Sequence, residues 1–546
     1  MANTIIPSPL GFASIRYVEQ NFSDYASPLG ALGYGGLFYS YDGPVSDIIA
    51  LASKDVMKNL YGAPDDTNAV EWWNIARALS YKSGPIGATA KIVRVVGDGS
   101  VNGSLAVSTT ALIASGSTTQ QRIDNEDDAL NATIVFDGDS KIKFFSKYPT
   151  NIVRKIALSN ADDFSSANII TGVTFSNTFD EVPGTNELAV VILNSDNEIL
   201  EKFIVSLDTT SVDGYGVSNY IETLNSKSQY ILAYDNTSVS GIPASFEGTS
   251  LIGGTVVAPL TADYITSLAL YEDIDSVDVN YFVGNNKIIS EMITLCENRL
   301  DCQLIWSANL SDVVGVGNIT ATSNLVTYSS TTLNRNTTYA EFFGNAGLIY
   351  DEYSKKSRWI ELAGDLVGLR ILKNLTGAEW EASAGLINGQ IRDIIKLAFN
   401  PTPSQGITLG RNKINPVISK YGKGIVSWGI SNYTSKKSAL TDSTTRGLMI
   451  HIWRASLQFL EYKLFSQNDE ITRNDIKAKM DQFLEGVKNS RGCYEYLVVV
   501  DETNNTPQII DAGQLIVEVR IKPTRISQEI LLISKIASTG ANLEEL

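Results

Sequence analysis

The 546-residue sequence has very few of the residues that build metal and redox sites. It contains one histidine and three cysteines (Cys296, Cys302 and Cys493), whose spacing matches no metal site and predicts buried free thiols rather than disulfides. No run of about eighteen apolar residues occurs, so we expect no membrane-spanning helix. The N-terminus lacks the basic and apolar regions of a signal peptide. A reduced compartment is therefore favoured, and histidine-rich metal sites are excluded.

Basic charge is also scarce, and it is unevenly distributed. The formal net charge is −17. Residues 97–250 contain 8 Lys or Arg against 20 Asp or Glu, whereas residues 365–546 contain 22 against 19. A chain this acidic is not expected to bind nucleic acid or anionic membranes as a whole.

Motifs for known catalytic chemistry are missing as well. The sequence has no G-x-S-x-G elbow and no glycine-rich phosphate loop. His451 lies in an apolar helical pattern, where a structural role is expected. Clustered acidic residues such as Glu126 lie in loop-like sequence, which favours a solvated face over the paired carboxylates of a glycosidase. We therefore expect no cofactor, no metal and no catalytic residue.

Hydrophobic periodicity predicts an α+β chain of several domains. Helices are predicted over residues 45–60 and around Trp72, the latter capped by Asp66 or Thr67. Residues 97–254 are rich in Ser, Thr, Asn, Asp and Gly and predict a β-rich unit, with hairpins over 131–145 and 188–207.

The second half of the chain returns to longer elements. A strand–helix–strand pattern over residues 277–308 predicts an α/β unit. Two amphipathic helices follow beyond residue 445, the second starting near Thr472. The strand patterns at 494–500 and 515–521 come next.

A last apolar run raises the question of what it pairs with. Ile530, Leu531, Leu532 and Ile533 form a nearly all-apolar strand pattern that should be buried on both faces, and little chain follows. Pairing at an edge of the same chain and pairing with another subunit are both open on this pattern alone.

One forty-residue stretch is basic throughout. Residues 401–440 contain six basic and no acidic side chains, namely Arg411, Lys413, Lys420, Lys423, Lys436 and Lys437. In an acidic chain such a stretch indicates a surface for an acidic partner, with a solvated loop as the alternative. Nucleic acid is a weaker candidate because aromatic residues are sparse there.

The C-terminal third carries an ordered set of motifs. It reads INPVISKYGKGIVSWG at 414–429, continues with an arginine-led long helix at 444–469, and ends with YLVVVDETNNTPQIIDAGQL and two strands at 496–533. In this order the segments resemble the contractile tail sheath proteins of tailed phages. The doubled arginine usual at the start of the long helix is Thr445-Arg446 here, so no role of the first arginine is carried over.

The N-terminal part agrees with this resemblance through a Tyr17-Val18-Glu19 strand followed by GPV, YGAP and VRVV segments. The match is good over residues 10–96 and 365–540 and moderate over 255–364. It is only positional over 97–254, where this family carries variable outer domains. The implied units are an N-terminal arm (1–20), an inner domain (21–96 with 365–522), an inserted β-rich outer domain (97–254), an α/β middle domain (255–364) and a C-terminal arm (523–546).

The resemblance implies a structural subunit of a contractile sheath. Such subunits form stacked six-fold rings around an inner tube and lend arm strands to a neighbour's sheet, so the implied partners are other copies, the tail tube protein, and baseplate and terminator proteins. No nucleic acid contact or membrane insertion is implied. The implied location is the virion tail, assembled in the host cytoplasm. The implied exchange residues are Ile15, Tyr17, Val18, Ile530, Leu531, Leu532 and Ile533.

The implied tube-facing residues are the six basic side chains of the 401–440 stretch. Basic residues of the second long helix and just beyond it, Arg473, Lys477, Lys488 and Arg491, are rival candidates. Alternatives for the chain are a carbohydrate-cleaving or host-binding role of residues 97–254 and a sheath in a phage-derived injection or secretion particle.

Overall fold

The structure, a computed structural model, describes residues 32–83, 86–113 and 119–528. Within these ranges helices alternate with several sheets, which confirms the predicted α+β class. The predicted arm at 1–20 and the predicted strand at 530–533 lie outside the described residues.

The first segment, up to residue 96, differs in part from its prediction. Its elements are β1 (Gly33–Phe38), β2 (Ile49–Leu51), α1 (Lys54–Tyr61), α2 (Ala69–Ala78), β3 (Lys82–Ser83), β4 (Ile86–Gly87) and β5 (Thr89–Arg94). A single helix over 45–60 is wrong, because Ser53 accepts a hydrogen bond from the Val56 N–H and so starts α1 only there. The next helix is confirmed, with Asn68 as its N-cap instead of Asp66 or Thr67.

Residues 97–254 are β-rich, as predicted. Their elements are β6 (Ser104–Ser108), α3 (Glu126–Asn131), β7 (Ser140–Ser146), β8 (Lys155–Asn160), β9 (Asn168–Ile170), β10 (Val173–Thr174), β11 (Glu187–Leu193), β12 (Ile199–Ser206), α4 (Leu224–Lys227), β13 (Ile231–Asp235) and β14 (Phe246–Ser250). The sheets β12-β11-β8-β14 and β13-β7-β6 share one core that contains Phe144 and Val190.

One of the two hairpins predicted in this unit is confirmed and one is wrong. β11 and β12 pair antiparallel as predicted. β7 instead pairs with β6 and β13, and residues 132–136 form no strand. They lie against β7 through a side chain, since Lys143 Nζ donates to the Val135 carbonyl over 2.7 Å.

The unit begins and ends at neighbouring positions. Val101 and Thr255 exchange two backbone hydrogen bonds of 3.0 Å each, and the Gly97 N–H donates to the Val257 carbonyl over 2.9 Å. A segment whose ends meet can be inserted into a fold without separating the flanking parts.

Residues 255–362 contain the predicted α/β unit. The elements are α5 (Thr261–Leu268), β15 (Tyr281–Val283), α6 (Ile289–Arg299), β16 (Gln303–Ser307), α7 (Leu310–Val313), α8 (Asn318–Thr327), β17 (Ala340–Phe343), β18 (Ala346–Asp351) and β19 (Lys356–Glu361). The predicted strand–helix–strand order is confirmed in β15, α6 and β16.

The last segment contains the long helices. Its elements are α9 (Ala363–Thr376), α10 (Gly385–Asn388), β20 (Lys396–Leu397), α11 (Pro403–Arg411), β21 (Ile414–Asn415), β22 (Val417–Lys420), β23 (Gly424–Ser427), α12 (Ser443–Leu460), α13 (Glu470–Asn489), β24 (Cys493–Val499), α14 (Pro507–Asp511) and β25 (Glu518–Pro523). Both helices are confirmed, and α13 starts two residues earlier than predicted because Asp469 accepts a hydrogen bond from the Thr472 N–H.

A seven-stranded sheet lies at the centre of the fold, in the order β2-β5-β1-β15-β16-β17-β21. All neighbours are parallel except β2 with β5. The sheet combines strands from the segments assigned to an inner domain with strands from the segment assigned to a middle domain. Buried clusters lie on its two faces, one around α2 and α9 and the other around α6 and α8, as expected for parallel strands buried on both sides.

A smaller C-terminal module, residues 443–523, follows in sequence. There α12, α13, β24 and β25 enclose a core that includes Leu448, Met480 and Val498. The start of α12 is held to the central sheet, because Arg370 in α9 donates to Ser443 Oγ over 2.6 Å and also forms an ion pair of 2.5 Å with Glu341 in β17.

Candidate interaction surfaces

The C-terminal module contains a sheet of only two strands. β24 and β25 pair antiparallel, from Cys493 opposite Pro523 to Val499 opposite Glu518. Within the described part of the chain neither strand pairs with a third one. A two-stranded sheet is marginally stable alone, and its free edges present unpaired backbone groups that can accept another strand.

This sheet also covers its core incompletely. Aromatic and aliphatic side chains of the module are only partly buried, including Phe483, Tyr496, Val519 and Ile521. Tyr494 in β24 is 62 % exposed. Added strands would extend the cover over these side chains, so the open sheet is the described surface best suited to accept the predicted exchange strands.

The C-terminal segment leaves the module at one defined end. The Thr524 N–H donates to the Gly492 carbonyl over 3.1 Å, and Gln528 Nε2 donates to Asp442 Oδ1 over 2.8 Å. Burial raises the pKa of the Asp442 carboxyl, and the nearby Arg525 opposes this increase. Asp442 and Gln528 are 86 positions apart, so sequence patterns had no signal for this anchor.

The structure separates the six predicted basic residues into two groups. Lys420 and Lys423 lie on the β22–β23 hairpin, whose tip residue Tyr421 is fully exposed. Lys420 Nζ lies 3.4 Å from the centre of the Trp428 ring, a cation–π contact that orients the ammonium group at the surface. Lys423 is exposed.

The second group surrounds residues 335 and 336, on the strand-start side of β17. Lys413 Nζ donates to the Arg335 carbonyl over 2.9 Å and lies over the Tyr433 ring, and partial burial lowers its pKa. It is therefore occupied within its own chain. Arg411, Lys436 and Lys437 are exposed in the same region.

The rival candidates for the tube-facing surface, around α13, differ in their exposure. Arg473 is buried and donates to the carbonyl and side-chain oxygens of Asn468. Lys477 is half-buried, whereas Lys488 and Arg491 are exposed at the end of the helix. Lys488 Nζ already lies 3.5 Å from Glu485 Oε2 and over the Tyr496 ring, so its ammonium group is partly occupied within its own chain.

The lone histidine lies inside α12 against aromatic rings. His451 stacks on Phe483 and meets the edge of Trp380, and its Nδ1 lies 3.6 Å from Glu379 Oε2. These contacts match a packing role. Across the described ranges no group of three or more His, Cys, Asp or Glu side chains could hold a metal. In the same ranges no helix is both long and apolar enough to cross a membrane.

Comparison with known proteins confirms the resemblance given by the motifs. No protein-family model matches the chain. The chain is 30% identical over 390 residues to the tail sheath protein of Enterobacteria phage T4, covering 67% of this chain and 58% of that protein. It is 28% identical over 423 residues to the tail sheath protein of Vibrio phage KVP40, covering 73% and 60%. The chain thus spans about three fifths of the length of these relatives.

Solved structures agree on the fold. A sheath tail protein from Listeria innocua superimposes with a TM-score of 0.55 at 10% identity, covering 90% of this chain and 95% of that one. A sheath tail protein from Desulfitobacterium hafniense gives 0.54 at 10% identity, covering 94% and 100%.

Proposed function

The chain is a homologue of phage tail sheath proteins, and from this we propose that it is the structural subunit of a contractile tail sheath. Copies polymerise as stacked six-fold rings around an inner tail tube. A signal from the baseplate makes the sheath contract and drive the tube through the host envelope, and a terminator closes the far end. The protein acts as a virion tail component, assembled in the host cytoplasm, and not as an enzyme.

The open two-stranded sheet carries this proposal. It accepts an N-terminal strand (Ile15, Tyr17, Val18) and a C-terminal strand (Ile530, Leu531, Leu532, Ile533) from neighbouring copies by strand addition. Backbone hydrogen bonds supply the binding, and the alternating side chains fix the register. A head-to-tail contact that does not close a ring generates a helix. Strand-linked subunits can then tilt during contraction without separating.

The energy for contraction comes from the assembly itself. The sequence has no phosphate loop, so contraction uses no bound nucleotide. The extended sheath is instead a kinetically trapped state that buries less surface than the contracted one. Contacts to the tube and baseplate keep the sheath in the extended state. Release at the baseplate passes from ring to ring through the linked strands.

The tube-facing surface is the basic one. Of the six predicted residues we place Lys420 and Lys423 first, because they are carried on a hairpin with an exposed aromatic tip. Contacts that must break on firing should be polar and few. Lys413 is the weakest of the six because its ammonium group is already occupied.

A second function for residues 97–254 has its own support. This unit has a separate buried core and carries −12 of the net charge of −17. It can therefore act as a host-surface adhesin or a decoration on the outside of a sheath, in a phage or in a phage-derived injection particle.

Electron microscopy of the chain expressed alone, with and without residues 527–546, tests the proposal. We expect hollow ridged tubes from the full chain and unassembled protein from the truncation. Tubes from both would keep the sheath and contradict donation of the C-terminal strand. Monodisperse protein from the full chain, also in the presence of purified tubes, would contradict the sheath assignment.

A further inference from the structure

The connection between α12 and α13, together with the first turn of α13, exposes four large apolar side chains within ten residues. Tyr462, Leu464, Phe465 and Ile471 are 72%, 65%, 103% and 79% exposed. Single exposed apolar residues are ordinary, whereas a cluster of this size marks a contact surface. We call these four residues the apolar turn.

The turn is held in this conformation by contacts of its polar residues. Lys463 Nζ forms an ion pair of 2.5 Å with Asp475 in α13, and Asn468 Nδ2 donates to the Gln514 carbonyl over 2.8 Å. Phe465 adopts the left-handed region with φ of 64°, which is unfavourable for a bulky residue. The backbone therefore holds the fully exposed Phe465 ring towards solvent, where a partner can cover it.

The described part of the C-terminal segment lies far from the apolar turn. That segment is fixed at Gln528 to Asp442, at the start of α12. α12 has 18 residues, so the turn lies about 27 Å away at about 1.5 Å per residue.

One observation and the proposed function indicate a second copy as the occupant. Each subunit of the proposed sheath is surrounded by other copies of this chain. The Asn468–Gln514 hydrogen bond also joins the apolar turn to the residues that lead into β25, where Ile516 is 40% exposed. The turn therefore continues the open two-stranded sheet.

We propose that the apolar turn seats on a second copy of this chain, next to the strand-accepting sheet, and forms a contact that persists while the sheath contracts. This inference rests on the proposed sheath function. It adds an apolar side-chain contact between subunits to the proposed strand pairing. This contact is distinct from the polar contacts to the tube, which must break on contraction.

The test uses the full chain with Leu464→Ser and Phe465→Ser combined. Because both side chains are exposed, the thermal midpoint of the unassembled variant should stay at the wild-type value. We expect the protein concentration needed for polymerisation to rise at least tenfold, as measured by sedimentation. The matched control, Tyr215→Ser with Ile319→Ser, removes two side chains that are 95% and 80% exposed elsewhere, and it should polymerise like wild type.

Three outcomes overturn the assignment. The first is unchanged polymerisation. The second is a lowered thermal midpoint of the unassembled variant, which means that the turn is covered within its own chain, for example by residues 1–31. The third is a defect seen only on purified tubes, which places the turn against the tube.

A photo-cross-linking residue at position 465 separates this inference from the sheath proposal. A cross-link between two copies supports the contact in whatever assembly the wild type forms. Cross-links within one chain or to another protein contradict it. Failure of the wild type to form tubes bears on the sheath proposal alone.

Discussion

Glu361 ends β19 between α2 and the loop that follows β15, and it is almost completely buried. Asn74 Nδ2 donates to its carboxyl oxygen over 3.3 Å. Burial, with a smaller contribution from the charge of Glu71, raises the pKa of Glu361 to about 8, although Asn286 and Lys287 oppose this increase. The carboxyl group is therefore protonated near neutral pH.

This residue predicts a pH-dependent stability. Below about pH 4.5 the carboxyl group is protonated in both states. As the pH rises towards 8, only the unfolded chain loses the proton, so folding becomes less favourable across that window. Glu361→Gln should remove this loss. Its stability advantage over wild type should be near zero at pH 4.5 and should grow to the order of a few kcal/mol by pH 8.

Urea unfolding of the unassembled chain, followed by fluorescence of the buried Trp72 and Trp73 in α2, measures this difference. Glu247→Gln, at an exposed position, is the control and should show no such trend. An advantage of Glu361→Gln that stays constant between pH 5 and 8 would mean that the carboxyl group is already ionised in the folded protein.

At the scale of elements, sequence periodicity predicted the helices and strands that depend on neighbouring residues. The apolar stripes of α12 and α13 and the alternation in β24 are properties of neighbouring residues, and each lies where the pattern indicated. Pairing between distant strands leaves no such trace. β1 lies beside β15, almost 250 residues away, and β7 takes both partners from outside its predicted hairpin.

The interaction surfaces show the same division. The basic stretch was visible as charge, but its separation into two groups follows from how β21 and the β22–β23 hairpin are placed. Composition also could not show that Lys413 is occupied by a backbone carbonyl. The sequence did not predict the apolar turn as an exposed surface. Its apolar residues directly follow the apolar stripe of α12, so the pattern does not distinguish them from buried helix residues.

The β22–β23 hairpin gives a prediction at this scale. Lys420→Gln with Lys423→Gln removes two charges and leaves a neutral polar side chain at each position. We expect weaker assembly on purified tubes and a flatter dependence of that assembly on salt, because exposed charge pairs are screened. Lys436→Gln with Lys437→Gln tests the other group, and Lys202→Gln with Lys227→Gln, in the β-rich unit, is the control. Extended particles that assemble and survive raised salt like wild type would rule the hairpin out.

At the scale of the whole molecule, the β-rich unit at 97–254 can be separated from the framework. The clusters on both faces of the central sheet and the core of the C-terminal module include none of its residues. Several contacts that cross the boundary are polar, such as Arg154 with Asp42 and Arg94 with the Pro149 carbonyl, both at 2.8 Å. The framework should therefore fold when a short Gly/Ser linker replaces the unit, because Gly97 and Val257 are hydrogen-bonded neighbours.

That deletion gives the last prediction, which concerns charge. It removes a net charge of −12 from a total of −17. Repulsion between copies should fall, so the shortened chain should polymerise at lower salt than wild type, as measured by light scattering across a salt series. Particles that contract normally but no longer attach to host cells would assign the unit to adhesion. Failure to polymerise at any salt, despite a folded framework, would show that the unit contributes to subunit contacts and contradict an ornamental role.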